Sequence, residues 1–263
     1  MVALEPSSVD TPLGRVSFGA GGEGDRWVLL HSLLTDRNAF DRIVKGLDGR
    51  VISFDLPGFG ETSQAPPRIE EHADLMAAAI RGLADGGGTT LIGNGLGSFV
   101  ALALAIRHPD LVDRLILLGC GAAFPYEAKP ALDGMIDAVR SGGMDAVTPT
   151  ALLRIFTQEY LDAHPDEVVE RSEVLARTDP EAFITACTAL RSLDLSARAT
   201  TVTSPTLLVV GEDDQATPPS MAETLRDLIP GATLVTMPGI AHAPQLQAPD
   251  GLLELIANFC EGV

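Results

Sequence analysis

The sequence is poor in the basic residues on which several classes of protein depend. Lys and Arg number 18 against 36 Asp and Glu, which gives a formal net charge of −18. Because binding to a phosphate backbone requires clustered Lys and Arg, this balance argues against a nucleic-acid partner. We therefore expect an acidic, solvated surface and a small-molecule substrate as the partner, and a homodimer is compatible with this expectation.

Cysteine and long apolar runs are also scarce. The three cysteines, Cys120, Cys187 and Cys260, are odd in number and widely spaced, so that neither a disulfide framework nor a CxxC metal site is indicated. The longest apolar run, residues 99–106, is too short to span a bilayer, and residues 1–10 contain no basic segment followed by an apolar stretch. We expect a cytoplasmic protein with no membrane contact, no metal and no cofactor.

The segments that are present alternate between two periodicities. A chain of 263 residues with 46% hydrophobic residues is long enough for one domain with a sizeable core. After a hairpin at 9–18, short apolar segments predict strands at 27–30, 50–54, 89–92, 115–118, 205–210 and 232–237. Helical patterns lie between or after them at 37–47, 70–84, 99–107, 220–228 and 251–259. Apolar strands that alternate with helices predict a mostly parallel sheet covered on both faces, which is the α/β class.

The alternation stops between residues 123 and 195. This segment is predicted to form short helices separated by Pro130, Gly142-Gly143, Pro149, Pro165 and Pro180. A helical insertion of this size, placed before the penultimate strand, is typical of a lid over one edge of the sheet. We predict a core domain of residues 1–122 and 196–263 and a helical cap of residues 123–195.

The main motif is a glycine-rich corner, Gly93-Asn94-Gly95-Leu96-Gly97, between a predicted strand and a predicted helix. Three glycines at this spacing are weak support alone, since they would occur by chance roughly 0.3 times in such a chain. Their context is more specific, because a sharp strand-to-helix turn is where an α/β enzyme carries its nucleophile. The residue at the tip, Gly95, has no side chain that could react. A dinucleotide-binding fingerprint fits poorly, since Ser98 stands where its third glycine is needed.

In this context the chain resembles the α/β-hydrolase superfamily over nearly its whole length. The corner of that family reads Gly-x-Ser-x-Gly, and its catalytic residues follow in the order Ser, Asp or Glu, His. The resemblance implies that Gly95 occupies the nucleophile position, that Asp214 is the acid and that His242 is the base. Asp213, next to the expected acid, is the alternative partner for the histidine.

The resemblance also implies an oxyanion hole. His31-Ser32-Leu33 corresponds to the His-Gly loop of the family, with Ser32 where glycine is usual, and the backbone N–H groups of Leu33 and Leu96 would be the donors. His31 is expected to hold this loop or to contact substrate. Residues 31–36 and 186–195 look most similar to the enol-lactonase and meta-cleavage-product hydrolase branch.

Other reactive or charged residues are weaker candidates. Arg154 and Arg191, in the predicted cap, are candidates to bind a substrate carboxylate, and solvated helix faces are the alternative. Ser98 follows the tip by one helical turn and is predicted to point away from the site. Cys120 ends a predicted strand, where a buried structural thiol is the more common finding.

The residues leave three functions open. The first is a hydrolase for a small ester, lactone or activated C–C bond whose serine has been replaced by Gly95. The second is a serine-free, cofactor-independent enzyme in which His242 and Asp214 act as a general base for elimination, cyclisation or isomerisation. The third is a ligand-binding protein without catalysis. The presence of both Asp214 and His242 favours an enzyme, because neither is needed to hold a pocket open.

Overall fold

The computed structural model describes residues 3–62, 65–83 and 88–262. Its centre is an eight-stranded sheet in the order β1-β2-β4-β3-β5-β6-β7-β8. The strands are β1 (Glu5–Thr11), β2 (Gly14–Gly21), β3 (Arg26–Leu30), β4 (Arg50–Phe54), β5 (Thr89–Asn94), β6 (Arg114–Leu118), β7 (Thr206–Gly211) and β8 (Thr233–Met237). β1 and β2 form an antiparallel hairpin, β2 pairs antiparallel with β4, and the remaining pairs are parallel.

Helices connect the parallel strands. They are α1 (Asp41–Val44), α2 (Ile69–Gly82), α3 (Leu96–Arg107), α4 (Lys129–Ile155), α5 (Gln158–Ala163), α6 (Pro165–Arg177), α7 (Pro180–Ser192), α8 (Ser196–Ala199), α9 (Pro219–Leu228), α10 (Pro244–Gln247) and α11 (Pro249–Glu261). Short 3₁₀ turns occupy Arg37–Phe40, Pro109–Leu111 and Tyr126–Ala128. No helix in the described part of the chain is long and apolar enough to cross a membrane.

The parallel strands are apolar because both faces of the sheet are covered. Every residue of β5 and β7 is buried, as are the last four residues of β4 and of β6. Their register pairs Leu30 with Gly93, Asn94 with Leu118, and Leu118 with Val209. The carboxyl ends of β3, β5, β6 and β7 therefore lie at one edge of the sheet, where the loops after them converge.

α3 is the central helix of the fold. Its residues from Leu96 to Ile106 are all buried, and it contacts α2 as well as β3, β5 and β6. An apolar sequence on every side suits a helix that is enclosed on every side. The corner that begins this helix is therefore fixed by the core.

Five helices, α4 to α8, lie between β6 and β7, and the first four of them fall within residues 123–195 and so precede the penultimate strand, as predicted. The two ends of this segment lie side by side: Ala123 pairs with Asp194 in a short antiparallel bridge, and the N–H of Leu195 donates to the carbonyl of Ala122 at 2.9 Å. The segment thus leaves and rejoins the sheet at one place. Its status as a cap separate from the core stays a prediction.

Several local boundaries differ from the sequence expectation. Pro149 was expected to separate helices, but it lies inside α4; the kink falls at Gly143 (φ 70°), in the Gly142-Gly143 pair that was also expected to separate helices. The helix expected at 37–47 is a 3₁₀ turn followed by the single turn of α1. The helix expected at 70–84 ends at Gly82, and residue 84 lies outside the described residues.

Candidate active site

The glycine-rich corner forms a tight strand-to-helix turn. Gly95 separates β5 from α3 and has φ 53° and ψ −118°, a backbone conformation that residues with a Cβ adopt only with strain. A Cβ on Gly97 would overlap the carbonyl of Leu30, so the helix can approach β3 this closely only with glycine there. The corner therefore has the backbone geometry expected of a nucleophile-bearing turn, with glycine at its tip.

Asp214 and His242 meet at the same edge of the sheet although 28 positions separate them. His242 Nδ1 lies 2.9 Å from Asp214 Oδ2, and both side chains are buried. Asp214 Oδ1 accepts the N–H groups of Ala216 at 2.8 Å and Thr217 at 2.9 Å, and Oδ2 also accepts the Thr217 hydroxyl at 2.8 Å. Asp213 is exposed, so the alternative partner for the histidine points away from it.

The electrostatics of Asp214 favour its ionised form. Burial acts to raise the pKa of Asp214, but the charge of His242 and the hydrogen bonds from His242 and Thr217 outweigh burial and lower it below its ordinary value. An ionised carboxylate accepts a hydrogen bond from Nδ1–H, which leaves Nε2 without a proton and facing the Gly95 corner. His242 is thus arranged to take a proton at Nε2.

Buried amides hold the loop that carries His242. Asn94 Nδ2 donates to the carbonyl of His242 at 2.9 Å and to that of Leu118 at 3.2 Å. Gln245 Nε2 in turn donates to Asn94 Oδ1 at 2.9 Å, and the N–H of His242 donates to the carbonyl of Ile155 at 3.1 Å. Sequence reasoning missed Asn94 and Gln245, because their pairing spans 151 positions and depends on the fold.

A cavity opens beside this corner. Its walls are mainly apolar side chains from the sheet edge and from the helical segment between β6 and β7, and its polar groups are few. The lining residues are Ser32, Leu33, Leu34, Gly95, Leu96, Phe99, Phe124, Leu132, Met135, Arg154, Leu190, Ala216, Thr217 and His242. An apolar cavity with a few convergent polar groups is typical of a small-molecule site.

Leu33 and Leu96, whose backbone N–H groups are expected to form the oxyanion hole, both line this cavity. Within the described residues, neither the N–H of Leu33 nor that of Leu96 donates a hydrogen bond to another protein group. Leu96 is the first residue of α3, where N–H groups have no partner inside the helix and the helix dipole favours negative charge. Both donors are therefore free to bind a ligand oxygen.

His31 is not among the residues that line the cavity. It is fully buried, its Nε2 accepts the N–H of Leu56 at 3.0 Å, and its Nδ1–H donates to the carbonyl of Ser32 at 2.8 Å. Burial lowers the pKa of His31, which keeps the ring neutral and allows these two opposite roles. These contacts fit the first of the two expected roles, which is to hold the loop at Ser32, and contact with substrate stays a prediction.

The two arginines expected to bind a carboxylate lie in different places. Arg154, in α4, lines the cavity, and its guanidinium lies 3.4 Å from the carbonyl of Ala216. Arg191, in α7, is about half exposed and forms an ion pair with Asp133 at 2.6 Å outside the cavity. Arg154 is therefore placed at the cavity, whereas Arg191 is not; the roles of both in substrate binding stay predictions.

Neither residue weighed as a substitute nucleophile is placed to react. The Ser98 hydroxyl lies within hydrogen-bond distance of the carbonyls of Gly95 at 2.7 Å and Gly119 at 3.2 Å. Cys120 is fully buried, and burial together with the nearby charge of Asp214 raises the pKa of its thiol, which disfavours the reactive thiolate.

Ser32 is the residue that the sequence left without a role. Its Oγ lies 3.3 Å from His242 Nε2, across 210 positions of chain, and it lines the cavity. The one signal in the sequence was that serine stands where the resembled family usually has glycine. That signal did not specify the direction of the side chain.

Comparisons with known proteins agree with this geometry. The model of the alpha/beta hydrolase family matches residues 19–255. The chain is 35% identical over 246 residues to the pimeloyl-[acyl-carrier protein] methyl ester esterase of Neisseria meningitidis serogroup C, a match that covers 89% of this chain and 93% of that protein.

Solved structures match over the whole fold. The enol-lactonase from Burkholderia xenovorans LB400 is 25% identical with a TM-score of 0.90, and the match covers 97% of this chain and all of that one. A thermophilic esterase from Thermogutta terrifontis, solved with malate bound, is 25% identical with a TM-score of 0.87, and the match covers 98% of each chain.

Proposed function

Because the chain belongs to the alpha/beta hydrolase family, we propose that it hydrolyses a small, mainly apolar ester or lactone in the cavity beside Gly95. The observation that supports this most directly is the buried contact of 2.9 Å between His242 Nδ1 and Asp214 Oδ2, with Nε2 facing the cavity. The relatives named for a methyl ester esterase and an enol-lactonase act on bonds of this class.

Each part of the site has a role in this reaction. The substrate carbonyl oxygen binds to the N–H groups of Leu33 and Leu96, which stabilise the charge that develops on it. His242 accepts a proton at Nε2 from the attacking hydroxyl and later returns it to the leaving group. Asp214 keeps the proton of His242 on Nδ1 and stabilises the imidazolium. Gly95 contributes backbone geometry and no reacting group.

The walls of the cavity indicate the substrate. Leucine, methionine and phenylalanine side chains surround the corner and suit a short acyl chain or a small ring. Arg154 is the cationic side chain in this wall and would bind a carboxylate on the far end of the substrate. We expect no contact with nucleic acid or membrane in this role.

Replacing Asp214 by asparagine tests the proposal. The amide cannot hold the histidine in the required tautomer, so we expect kcat/KM to fall about 10²- to 10⁴-fold for p-nitrophenyl acetate, p-nitrophenyl butyrate and γ-butyrolactone. Asp213→Asn is the matched control, because the same change one position away lies on an exposed side chain. Equal activity of the two variants would contradict the role of Asp214.

The glycine at the tip favours a second function, in which the site works without a serine as a general base. Proton abstraction, elimination or cyclisation would need His242 Nε2 and the two N–H donors alone. Gly95→Ser separates the alternatives. A burst of p-nitrophenol that only the Gly95→Ser variant produces would indicate a hydrolase that has lost its nucleophile. No ester turnover in either protein would favour the non-hydrolytic reaction.

A further inference from the structure

The Ser32 hydroxyl occupies the space in which a side chain on residue 95 would lie. A Cβ built on Gly95 would overlap Ser32 Oγ and lie 2.6 Å from His242 Nε2. The absence of a side chain at position 95 therefore leaves room for Ser32 Oγ beside the catalytic base. We propose that Ser32 is the nucleophile of this enzyme, in a triad with His242 and Asp214; this inference rests on the proposed hydrolase function.

The hydrogen bonds give the required direction of proton transfer. His242 Nδ1 donates to Asp214 Oδ2 at 2.9 Å, so Nε2 is the acceptor nitrogen of the neutral ring. Ser32 Oγ, 3.3 Å away, then donates its proton to Nε2. A hydroxyl that donates to a histidine oriented by a carboxylate is the arrangement that activates a serine, and such contacts often shorten when substrate binds.

The loop holds Ser32 firmly on its backbone and leaves its hydroxyl to His242. The N–H of Ser32 donates to Thr35 Oγ1 at 3.1 Å. Its carbonyl accepts the N–H of Thr35 at 3.2 Å and Nδ1–H of His31 at 2.8 Å. These contacts restrict the backbone of Ser32, and with it the origin of the side chain, which is what a preorganised nucleophile requires.

The same oxyanion donors serve a nucleophile at either position. With a serine at position 95, the donors would be Leu96, the residue after it, and Leu33 in the facing loop. With Ser32 as the nucleophile, Leu33 is the residue after it and Leu96 faces it from the start of α3. Leu33 and Leu96 line the same cavity as Ser32, so both donors serve equally when the hydroxyl comes from the other loop.

The reaction balances as an ordinary acyl transfer to water. Ser32 Oγ attacks the ester carbonyl carbon while its proton moves to His242 Nε2. The C–O bond to the alcohol breaks, and the alcohol leaves with that proton. Water then attacks the acyl–Ser32 ester with His242 as the base, which releases the acid and returns the proton to Ser32. Ester and water become acid and alcohol, without an oxidant or reductant.

The other hydroxyl near the histidine is committed elsewhere. Thr217 Oγ1 donates to Asp214 Oδ2 at 2.8 Å and lies on the Nδ1 side of the ring, 3.2 Å from Nδ1. It supports the carboxylate and cannot reach Nε2 from that side. Ser32 is therefore the hydroxyl placed to lose its proton to the base.

Covalent labelling of the unaltered protein tests the proposal directly. Phenylmethanesulfonyl fluoride transfers its sulfonyl group to an activated serine with loss of fluoride. We expect one label per chain, on the tryptic peptide of residues 27–37, in which Ser32 is the single serine. No label, or a label on another peptide, would overturn the proposal. This measurement does not depend on the folding of any variant.

Steady-state turnover of p-nitrophenyl acetate separates this inference from the proposed function. We expect Ser32→Ala to lower kcat at least 100-fold, and Ser192→Ala, on the outer face of α7, to leave it unchanged. If Ser32→Ala keeps its activity while His242→Ala loses it, water is the nucleophile; the inference then fails and the proposed function stands. If neither variant loses activity, both fail.

Discussion

A methyl group added at position 95 should lower the free energy of unfolding more when Ser32 is present than when the Ser32 hydroxyl has been removed. In Gly95→Ala the new Cβ meets two obstacles. The backbone at φ 53° and ψ −118° is strained for any residue with a Cβ, which costs about 1–3 kcal/mol. The Cβ also overlaps Ser32 Oγ and lies 2.6 Å from His242 Nε2, and overpacking of this kind costs about 1–3 kcal/mol.

The substitution Ser32→Ala relieves one of these contacts, the overlap with Ser32 Oγ. Ser32→Ala removes the hydroxyl but leaves its Cβ, which lies 3.1 Å from the new methyl group, and leaves the backbone strain unchanged. We therefore expect Gly95→Ala to lower the free energy of unfolding by about 3 kcal/mol when Ser32 is intact, and by about 1 kcal/mol less in the Ser32→Ala background.

Urea unfolding of the four proteins of this double-mutant cycle measures the difference. A coupling of about 1 kcal/mol exceeds the roughly 0.3–0.5 kcal/mol within which independent substitutions add. It corresponds to a midpoint shift of about 0.3 M urea if m is about 3 kcal/mol/M. Additive effects of the two substitutions would refute the placement of Ser32 Oγ in the side-chain space of residue 95.

Three further expectations concern charge. Burial lowers the pKa of His72 from its ordinary value of 6.5 to about 4. Because the unfolded chain then binds a proton at a higher pH than the folded protein, the free energy of unfolding should fall by about 3 kcal/mol between pH 6.5 and pH 4. His72→Asn should remove this pH dependence. Arg154→Met should lower kcat/KM about tenfold or more for a half-ester of a dicarboxylic acid and little for a neutral ester of equal length. Glu167→Gln should lower the free energy of unfolding by about 3 kcal/mol, because it removes the buried negative charge that pairs with both Arg171 and Arg42 and leaves the buried Arg171 with the half-exposed Glu170 as its closest anionic partner.

Each of these expectations has an outcome that contradicts it. For His72, an equal pH dependence of the free energy of unfolding in the unaltered protein and in His72→Asn would contradict the prediction that the buried histidine causes it. For Arg154, an equal loss on charged and neutral esters would indicate a packing role. For Glu167, the matched change Glu173→Gln on the exposed face of the same helix should cost less than about 0.5 kcal/mol. Equal losses from the two glutamates would contradict the argument from burial.

The predicted α/β class and the family resemblance are confirmed, because both depend on patterns that the sequence carries locally. The short segment 50–54 forms β4 over the predicted range. The apolar run at 99–106 predicts the central helix α3, which begins at Leu96, three residues before the predicted start, and ends at Arg107 as predicted. A strand or helix that is apolar on every side must be buried on every side, so the sequence alone indicates where such elements lie.

Elements whose form depends on distant contacts were predicted less well. Pro149 was expected to separate helices, yet α4 continues through it, and of the separators expected inside this segment Gly143 is where the helix bends. The positions of His31 and Arg191 depend on partners that are far away in the chain, Leu56 for the first and Asp133 for the second. A residue type shows what a side chain can bind, but only the fold shows which partner it meets.

The candidate site follows the same rule. Asp214 and His242 were assigned from the family resemblance, on the motifs that follow two of the predicted strands, and the structure places His242 Nδ1 2.9 Å from Asp214 Oδ2. Their catalytic roles, with those of Leu33 and Leu96, stay predictions. Ser32 gained a role only when the fold brought its hydroxyl to His242 Nε2 across 210 residues.

The most direct test of the proposed hydrolase is the loss of activity when the base is removed. The measurement is kcat/KM for p-nitrophenyl butyrate in the unaltered protein, in His242→Ala and in His164→Ala, whose ring lies at the exposed end of α5 and stacks on Tyr160. The account predicts a fall of at least about 100-fold for His242→Ala and less than about twofold for His164→Ala. Undiminished hydrolysis by His242→Ala would contradict it.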